Sequence, residues 1–224
     1  MRFAPIAALY FASLLMVAHP AWAEPSCKPT SRVATQNYPG PARIVPGNNL
    51  IKPAGKAVEA NGQKIIIEGQ VLDSRCAPVP EAVVELWQNS PTGRWLLAGG
   101  EDLANANPVF TGAGRTYTDH DGRFRFITAF PAPITYTVRR NNKRSYVVKC
   151  APFVNVKVAA ENMPTLNTAL YFSDDVRNDN DEIYRKLGGK ARDDVTISVT
   201  QQDDEQLVGD VKLVLSGKAP YRTY

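Results

Sequence analysis

Two histidines, His19 and His120, supply all the imidazole chemistry available to this 224-residue chain. His120 sits in the tight turn Thr118-Asp119-His120-Asp121-Gly122, with no second soft ligand nearby in sequence. That setting favours a solvated turn residue over a metal ligand. Any Ser-His-Asp set would have to run through the same residue, and no glycine-rich phosphate loop occurs. The run Asp174, Asp175, Asp179, Asn180, Asp181 and Glu182 invites a calcium reading. It lacks the central glycine and ligand spacing of an EF-hand loop, so helix capping is its expected role. Cys27, Cys76 and Cys150 form an odd set: one pair plus a leftover, or an intermolecular bond. Cys27 with Cys76 is the preferred pair, stapling an N-terminal arm to the turn after the first core strand. Sequence alone does not fix that geometry. Cys150 beside Lys149 could carry a depressed thiol pKa, weighed against packing as a small buried hydrophobe.

The elements that must position these groups begin after a targeting segment. Arg2, the apolar stretch from Ala7 to Ala18 and the small-x-small pattern Ala21-Trp22-Ala23 read as a secretory signal peptide cut after Ala23. The expected location is therefore periplasmic or secreted. The apolar run is short for a bilayer span, and no later segment is long and apolar enough to be one. Removing Arg2 takes the net charge from +4 to +3, too small a value to imply a nucleic-acid partner. Residues 24–60 form an extended arm, because Pro25, Pro29, Pro39, Pro41, Pro46 and Pro53 forbid long helices.

Residues 61–224 then read as one all-β sandwich domain. Alternating, β-branched runs at Ile65 to Val71, Ala82 to Gln88 and Arg123 to Thr128 predict strands, and Gly93 to Leu97 continues the second run. Thr135 to Arg140 and Ser145 to Lys149 bracket the hairpin tip Asn141-Asn142-Lys143-Arg144. Further strands are expected at Phe153 to Ala159, Thr168 to Phe172, Val195 to Gln201 and Asp210 to Leu215. One short helix is expected from Asp181 to Leu187, capped by Asp179 or Asn180 and ended by Gly188. The basic hairpin of Arg139, Arg140, Lys143, Arg144 and Lys149 could bind an anionic glycan or lipid head group. A solvated edge that discourages strand-to-strand aggregation is the plainer role.

Several stretches in order carry a resemblance. They are Gln36-Asn37-Tyr38-Pro39-Gly40-Pro41, then Gly69-Gln70-Val71-Leu72-Asp73 with Pro78-Val79-Pro80 and Val84-Glu85-Leu86-Trp87-Gln88. Phe110-Thr111-Gly112-Ala113-Gly114-Arg115-Thr116-Tyr117-Thr118-Asp119 follows, with Gly122, Phe124, Phe126 and Pro131, and then Leu166 to Phe172. Together they resemble the intradiol ring-cleavage dioxygenases, non-haem ferric enzymes that open catechols between the two hydroxyls. The resemblance implies their β-sandwich core, and an iron held by two tyrosines and two histidines. With His19 in the cleaved segment, His120 alone cannot supply that histidine pair.

The positions that the resemblance assigns to ligands carry other residues. Trp95 stands where the first tyrosine would be, and an indole N–H has no lone pair to give. Ile134 stands at the second, with Tyr136 two residues on along the same strand face. Cys150-Ala151-Pro152-Phe153-Val154-Asn155 aligns with the histidine run, placing Phe153 and Asn155 at the metal and Cys150 at a nearby arginine. Phe153 cannot ligate, and Asn155 offers only a neutral carbonyl oxygen. Trp95, Ile134 and Phe153 would fill a metal-sized hole without burying polar ligands.

Three functions follow as expectations. The first is an exported, iron-free binding or interaction module, with no cofactor, whose cleft holds an aromatic, lipid, glycan or protein ligand against Trp95, Tyr136 and Phe153. The second is a ring-cleaving dioxygenase whose Fe(III) is held by Tyr136 or Tyr146 with Asn155 and a second subunit's side chains. The third is a structural envelope component.

Overall fold

The computed structural model describes residues 26–33, 40, 41, 43–94, 109–140, 144–202 and 206–220. Eleven strands account for most of them: β1 Val45–Pro46, β2 Lys64–Leu72, β3 Val83–Trp87, β4 Ala113–Tyr117, β5 Arg123–Ala129, β6 Ile134–Arg140, β7 Arg144–Cys150, β8 Phe153–Ala159, β9 Leu166–Phe172, β10 Thr196–Gln201 and β11 Gln206–Val214. Nine form one large curled sheet in the order β1-β4-β3-β8-β9-β10-β11-β2-β5, and β6 with β7 makes a separate hairpin. This is the all-β fold expected from the alternating runs.

The alternation explains the faces. In β3 and β8, Val84, Leu86, Val154, Val156 and Val158 are fully buried and join the main apolar core with Leu170 of β9. Each such side chain contributes about 1.5–3 kcal/mol of burial free energy. The opposite face of the same strands carries Glu85, Trp87, Phe153, Asn155 and Tyr171, all buried as well. Residues directly paired across strands share a face, so Trp87, Asn155 and Ala169 form one row, and Phe153 with Tyr171 forms the next.

The turn at Asp119 is built as its residues require. Gly122 has φ +71 and donates its N–H to the Asp119 carbonyl at 3.0 Å. A Cβ there would meet the Val71 carbonyl oxygen at 2.5 Å, so only glycine fits. His120 is exposed beside Asp121.

The expected arm is extended where it is described. Cys27 is bonded to Cys76, with a Cα–Cα distance of 5.1 Å. The expected pair is thus the one formed, and Cys150 is the buried unpaired thiol. Asp73, fully buried, organises the turn at the other end of this bridge by accepting from the N–H groups of Arg75, Ala77 and Ala219.

Two features depart from expectation. The helix expected over Asp181 to Leu187 does not form: 3-10 turns occupy Val176–Asn180 and Tyr184–Lys186, and the α-helix, α1, is Gly189–Asp194. Asp175, not Asp179 or Asn180, caps the first turn by accepting from Arg177 N–H. Gly188 precedes α1 rather than ending a helix. Asp181 itself starts the Tyr184 turn, its Oδ1 accepting from the N–H groups of Ile183 and Tyr184. The second departure is β4, a strand within a stretch that the sequence reading gave only as part of the family resemblance.

The strand continuing through Trp95, the hairpin tip at residues 141–143, the targeting segment and residues 36–39 of the Gln36 motif lie outside the described residues. No helix among the described residues is long and apolar enough to cross a membrane.

Candidate binding site beneath the β6–β7 hairpin

The hairpin register puts the expected site residues together. Ile134 pairs with Cys150 and Tyr136 with Val148, so these four share one face. Ile134, Val148 and Cys150 are buried in the core, and Tyr136 packs against it partly buried. Phe153 follows Cys150 by three residues and lies in the same apolar cluster. Its ring stands 6.0 Å from that of Tyr171, and Tyr171 stands 4.8 Å from Tyr184, over which the Arg192 guanidinium lies at 5.5 Å.

Tyr146 does not join this group. It lies farther along the hairpin and is 46% exposed. Asn155 is 3% exposed and sits one row from Phe153, beside Trp87, whose carbonyl accepts from Asn155 Nδ2 at a long 3.5 Å. Tyr136, Tyr146 and Asn155 therefore occupy three different settings rather than one. Trp95 lies outside the described residues.

Three residues that the sequence did not place at the site shape it. Asp181 is fully buried; its Oδ2 accepts from Ala151 N–H at 2.9 Å and its Oδ1 from the N–H groups of Ile183 and Tyr184 at 2.8 Å each. It thereby ties the β7–β8 turn to the Tyr184 turn. The second is Tyr171. Burial, and then the Asp181 carboxylate, push its phenol well above the ordinary tyrosine range. Its hydroxyl is buried with no partner in hydrogen-bond geometry among the described residues, although the Asp181 carboxylate is near enough to act on it electrostatically. Tyr184 is the third, closing the ring stack. Strict alternation in β9 places Tyr171 on the Asn155 face, which was the available sequence signal for it.

The same chemistry affects Cys150. Burial, with the Asp181 and Glu182 carboxylates, pushes its thiol up to about 12. It is a protonated, inert thiol at neutral pH, as its packing role requires.

On the next rows of the face a cleft of about 640 Å³ opens. Its floor holds Glu85, Trp87, Asn155 and Lys157, and the N-terminal arm supplies Arg32, Val33, Pro41 and Ile44. Glu85 accepts from Arg115 Nε at 2.8 Å and from Lys157 Nζ at 3.2 Å, and Arg115 also bonds it through a second guanidinium nitrogen. Burial raises the Glu85 pKa, but these two cations outweigh it and hold the carboxyl below its ordinary range. Among the described residues, no three His, Cys, Asp or Glu side chains are grouped to hold a metal ion.

Comparison with known proteins fits this architecture. Residues 48–217 match the C-terminal dioxygenase family described as "Dioxygenase". That span is most of the chain, and the chain belongs to this family of intradiol ring-cleaving dioxygenases. It is 40% identical over 84 residues to the protocatechuate 3,4-dioxygenase beta chain of Burkholderia cepacia, covering 38% of this chain and 36% of that one. To the corresponding alpha chain of Pseudomonas putida it is 30% identical over 132 residues, covering 58% and 57%. The matches thus span about a third to three-fifths of these relatives. Among solved structures, 3-chlorocatechol 1,2-dioxygenase from Rhodococcus opacus 1CP aligns with a TM-score of 0.62 at 18% identity, covering 84% of this chain and 72% of that one. The dioxygenase domain of a dioxygenase carbohydrate-binding protein fusion from Streptomyces sp. SirexAA-E aligns at 0.59 and 20% identity, covering 84% and 99%. At such identities these two likenesses speak for the fold.

Proposed function

We propose that this chain is an exported, iron-free member of the family that acts as a binding or interaction module. The observation that carries this reading is the chemistry of the hairpin-covered face. Ile134 and Phe153 are hydrocarbon and buried in one apolar cluster. Cys150 is a thiol held protonated, and the Tyr171 phenol is displaced far from ionisation. Asn155 has only an amide, engaged with the sheet, and Trp95 has only a donor. A ferric ion demands anionic oxygen or neutral imidazole donors; of the positions assigned to ligands, Trp95, Ile134, Phe153 and Asn155 offer none, Tyr136 supplies a single phenol beside them, and no histidine joins it, so this set falls short of a ferric site. The neighbouring cleft, floored by Trp87, Asn155 and the Glu85–Lys157 pair, is the surface we assign to a small aromatic, lipid, glycan or protein ligand.

A second reading draws on the relatives. Two of them are named as alpha and beta chains of protocatechuate 3,4-dioxygenase, and a chain of this kind could serve beside a catalytic subunit. Metal analysis and the visible spectrum of the mature protein decide the matter. The expected result is a colourless protein with substoichiometric iron and no oxygen uptake on catechols. Stoichiometric iron with a tyrosinate-to-iron band, or oxygen-dependent ring opening by the isolated chain, overturns the proposal. Ligand binding in the cleft separates a binding module from an envelope component.

A further inference from the structure

β4 and β5 are joined by the short Asp119 turn, yet they pair toward opposite ends of the curled sheet, β4 with β3 and β5 with β2. The chain from Gly47 to Leu50 stitches them together. Gly47 exchanges two main-chain bonds with Arg115 at 3.0 Å, and Ile127 bonds Asn48 and Leu50 at 2.8 Å each. Toward the turn the stitch stops and the two strands stand apart. The gap opens into a groove of about 560 Å³, a size ordinary for a small-molecule site, which shares no lining residue with the cleft assigned above. Two cross-strand rows floor it: Asp210, Glu68 and Arg125 on β11, β2 and β5, then Lys212, Gln70 and Arg123 beside them. Across the gap stands Tyr117, at 63% exposure the most open aromatic side chain among the described residues.

The polar groups are held in place before any ligand arrives. Asn48 Nδ2 donates to the Arg125 carbonyl and Gln70 Nε2 to the Asp121 carbonyl, both at 2.9 Å, and Arg125 Nε meets Glu68 Oε1 at 3.1 Å. Such preorganisation lowers the ordering cost of binding. The lining is also balanced, with Arg123, Arg125 and Lys212 against Glu68, Asp119 and Asp210. The signs interleave, so a polyanion meets carboxylates and a polycation meets cations, each at a cost. By strand alternation from Arg115 and Ile127, the Tyr117 N–H and C=O and the Arg125 N–H point into the gap. Three main-chain groups are too few for an added strand, which takes its affinity from a run of them.

We propose that this groove binds a neutral saccharide, with one face of a sugar ring laid on Tyr117. Each sugar hydroxyl both donates and accepts, so it satisfies the carboxylates, the guanidinium groups and the Gln70 amide alike. The C–H face of the ring covers the phenol, whose own hydroxyl stays wet. No charge is carried into a lining that has none to neutralise.

Amide NMR titrations of the isotope-labelled mature protein with cellobiose, maltose and lactose in turn test this. At least one sugar is expected to shift the Tyr117, Arg123 and Arg125 amides saturably at millimolar concentration. Tyr117→Ala, an exposed substitution that should leave the melting temperature unchanged, is expected to weaken that binding about tenfold or more. Asp210→Ala, on the far side of the floor, is expected to weaken it as well. A sulfated heparin oligosaccharide, titrated likewise, is expected to bind no better than the sugar. The absence of a saturable shift from all three sugars overturns the proposal, and so does undiminished affinity in both variants. Tighter binding of the sulfated probe than of every neutral one overturns the charge argument and the proposal with it. Shifts confined to the Asn155 and Lys157 amides would put the sugar in the other cleft, upholding the binding reading there and overturning this site.

Discussion

Replacing Asp181 by asparagine tests whether the site beneath the hairpin is organised by one buried carboxylate. The native side chain is fully buried and accepts three main-chain N–H bonds, two on Oδ1 and one on Oδ2. Asparagine keeps one acceptor oxygen. If that oxygen faces Ile183 and Tyr184, the amide NH₂ is pointed at Ala151 N–H, and donor meets donor. The flipped amide is worse, with two N–H groups left facing a donor. A hydrogen bond to a charged group contributes about 1.5–3 kcal/mol, and a buried N–H left without a partner costs about 1–3 kcal/mol. Because these describe overlapping losses, about 3 kcal/mol is the expected destabilisation. For a domain of this size each kcal/mol moves Tm by about 2–4 °C, so Tm should fall by about 6–12 °C. Calorimetry or urea titration of the oxidised protein measures it, with Asp179→Asn, at an exposed neighbouring position, as a control expected to stay within about 0.5 kcal/mol. A loss for Asp181→Asn no larger than that of the control would refute the account, because the β7–β8 turn would then hold its place by packing alone.

Tyr171→Phe should stabilise the protein by about 1 kcal/mol, since it removes a buried hydroxyl that lacks a hydrogen-bond partner. A loss of stability in urea titration would mean that the hydroxyl donates to Asp181 after all. Acid should weaken the fold through Glu85 and Asp73. Burial raises both, but cationic partners at Glu85 and the N–H groups of Ala219, Ala77 and Arg75 at Asp73 outweigh it and lower both pKa values. A lowered folded-state pKa gives stability that is present above the ordinary carboxylate range of about 4 and lost as pH falls through the lower folded value. Urea midpoints should therefore drop below about pH 4, and Glu85→Gln should flatten that limb; an unchanged acid limb in the variant contradicts the Glu85 contribution. Cys150→Ala should leave the native protein's slow thiol alkylation undetectable and cost about 1–2 kcal/mol from lost packing; rapid alkylation of the native Cys150 by iodoacetamide would contradict a protonated, enclosed thiol.

The parts of this structure legible in the sequence were those set by local alternation. Arg123 to Thr128 and Phe153 to Ala159 could be read as strands because every second residue is apolar, and the hairpin because charged and asparagine residues interrupt two such runs. The closure of the curled sheet was not legible. It depends on β2 and β11 pairing in parallel over nine positions, Lys64 with Gln206 through Leu72 with Val214, and no local pattern encodes a partner more than a hundred residues away. The helix failed for a related reason. Asp181 does cap the turn that follows, accepting from the N–H groups of Ile183 and Tyr184, while its other oxygen accepts from Ala151, thirty residues back in the chain. That second bond, which no local pattern encodes, fixes where the short 3-10 turn sits. For the site, the hairpin was legible as two runs about the tip, but its register was not: the expected runs Thr135 to Arg140 and Ser145 to Lys149 differ in length, and the pairing of Ile134 with Cys150 and of Tyr136 with Val148 is seen in the folded hairpin. Tyr171 and Asp181 were not legible either, because their roles exist only in the packed molecule.

On the iron-free reading, the hairpin also gains a different physical job. A metal site needs polar ligands held apart at a fixed geometry, and without its ion each would be a buried group short of a partner. Ile134, Val148, Cys150 and Phe153 instead extend the core beneath the hairpin, so the two strands that join no other strand in the sheet are fixed by apolar contact. Two buried polar atoms of the sheet face behind the hairpin, the Tyr171 hydroxyl and Trp87 Nε1, are without a partner in hydrogen-bond geometry among the described residues. Packing therefore replaces coordination across most of the face but not at these atoms. On the same reading the proposed ligand surface lies farther along β8, at Asn155 and Lys157, where the sheet meets a cleft.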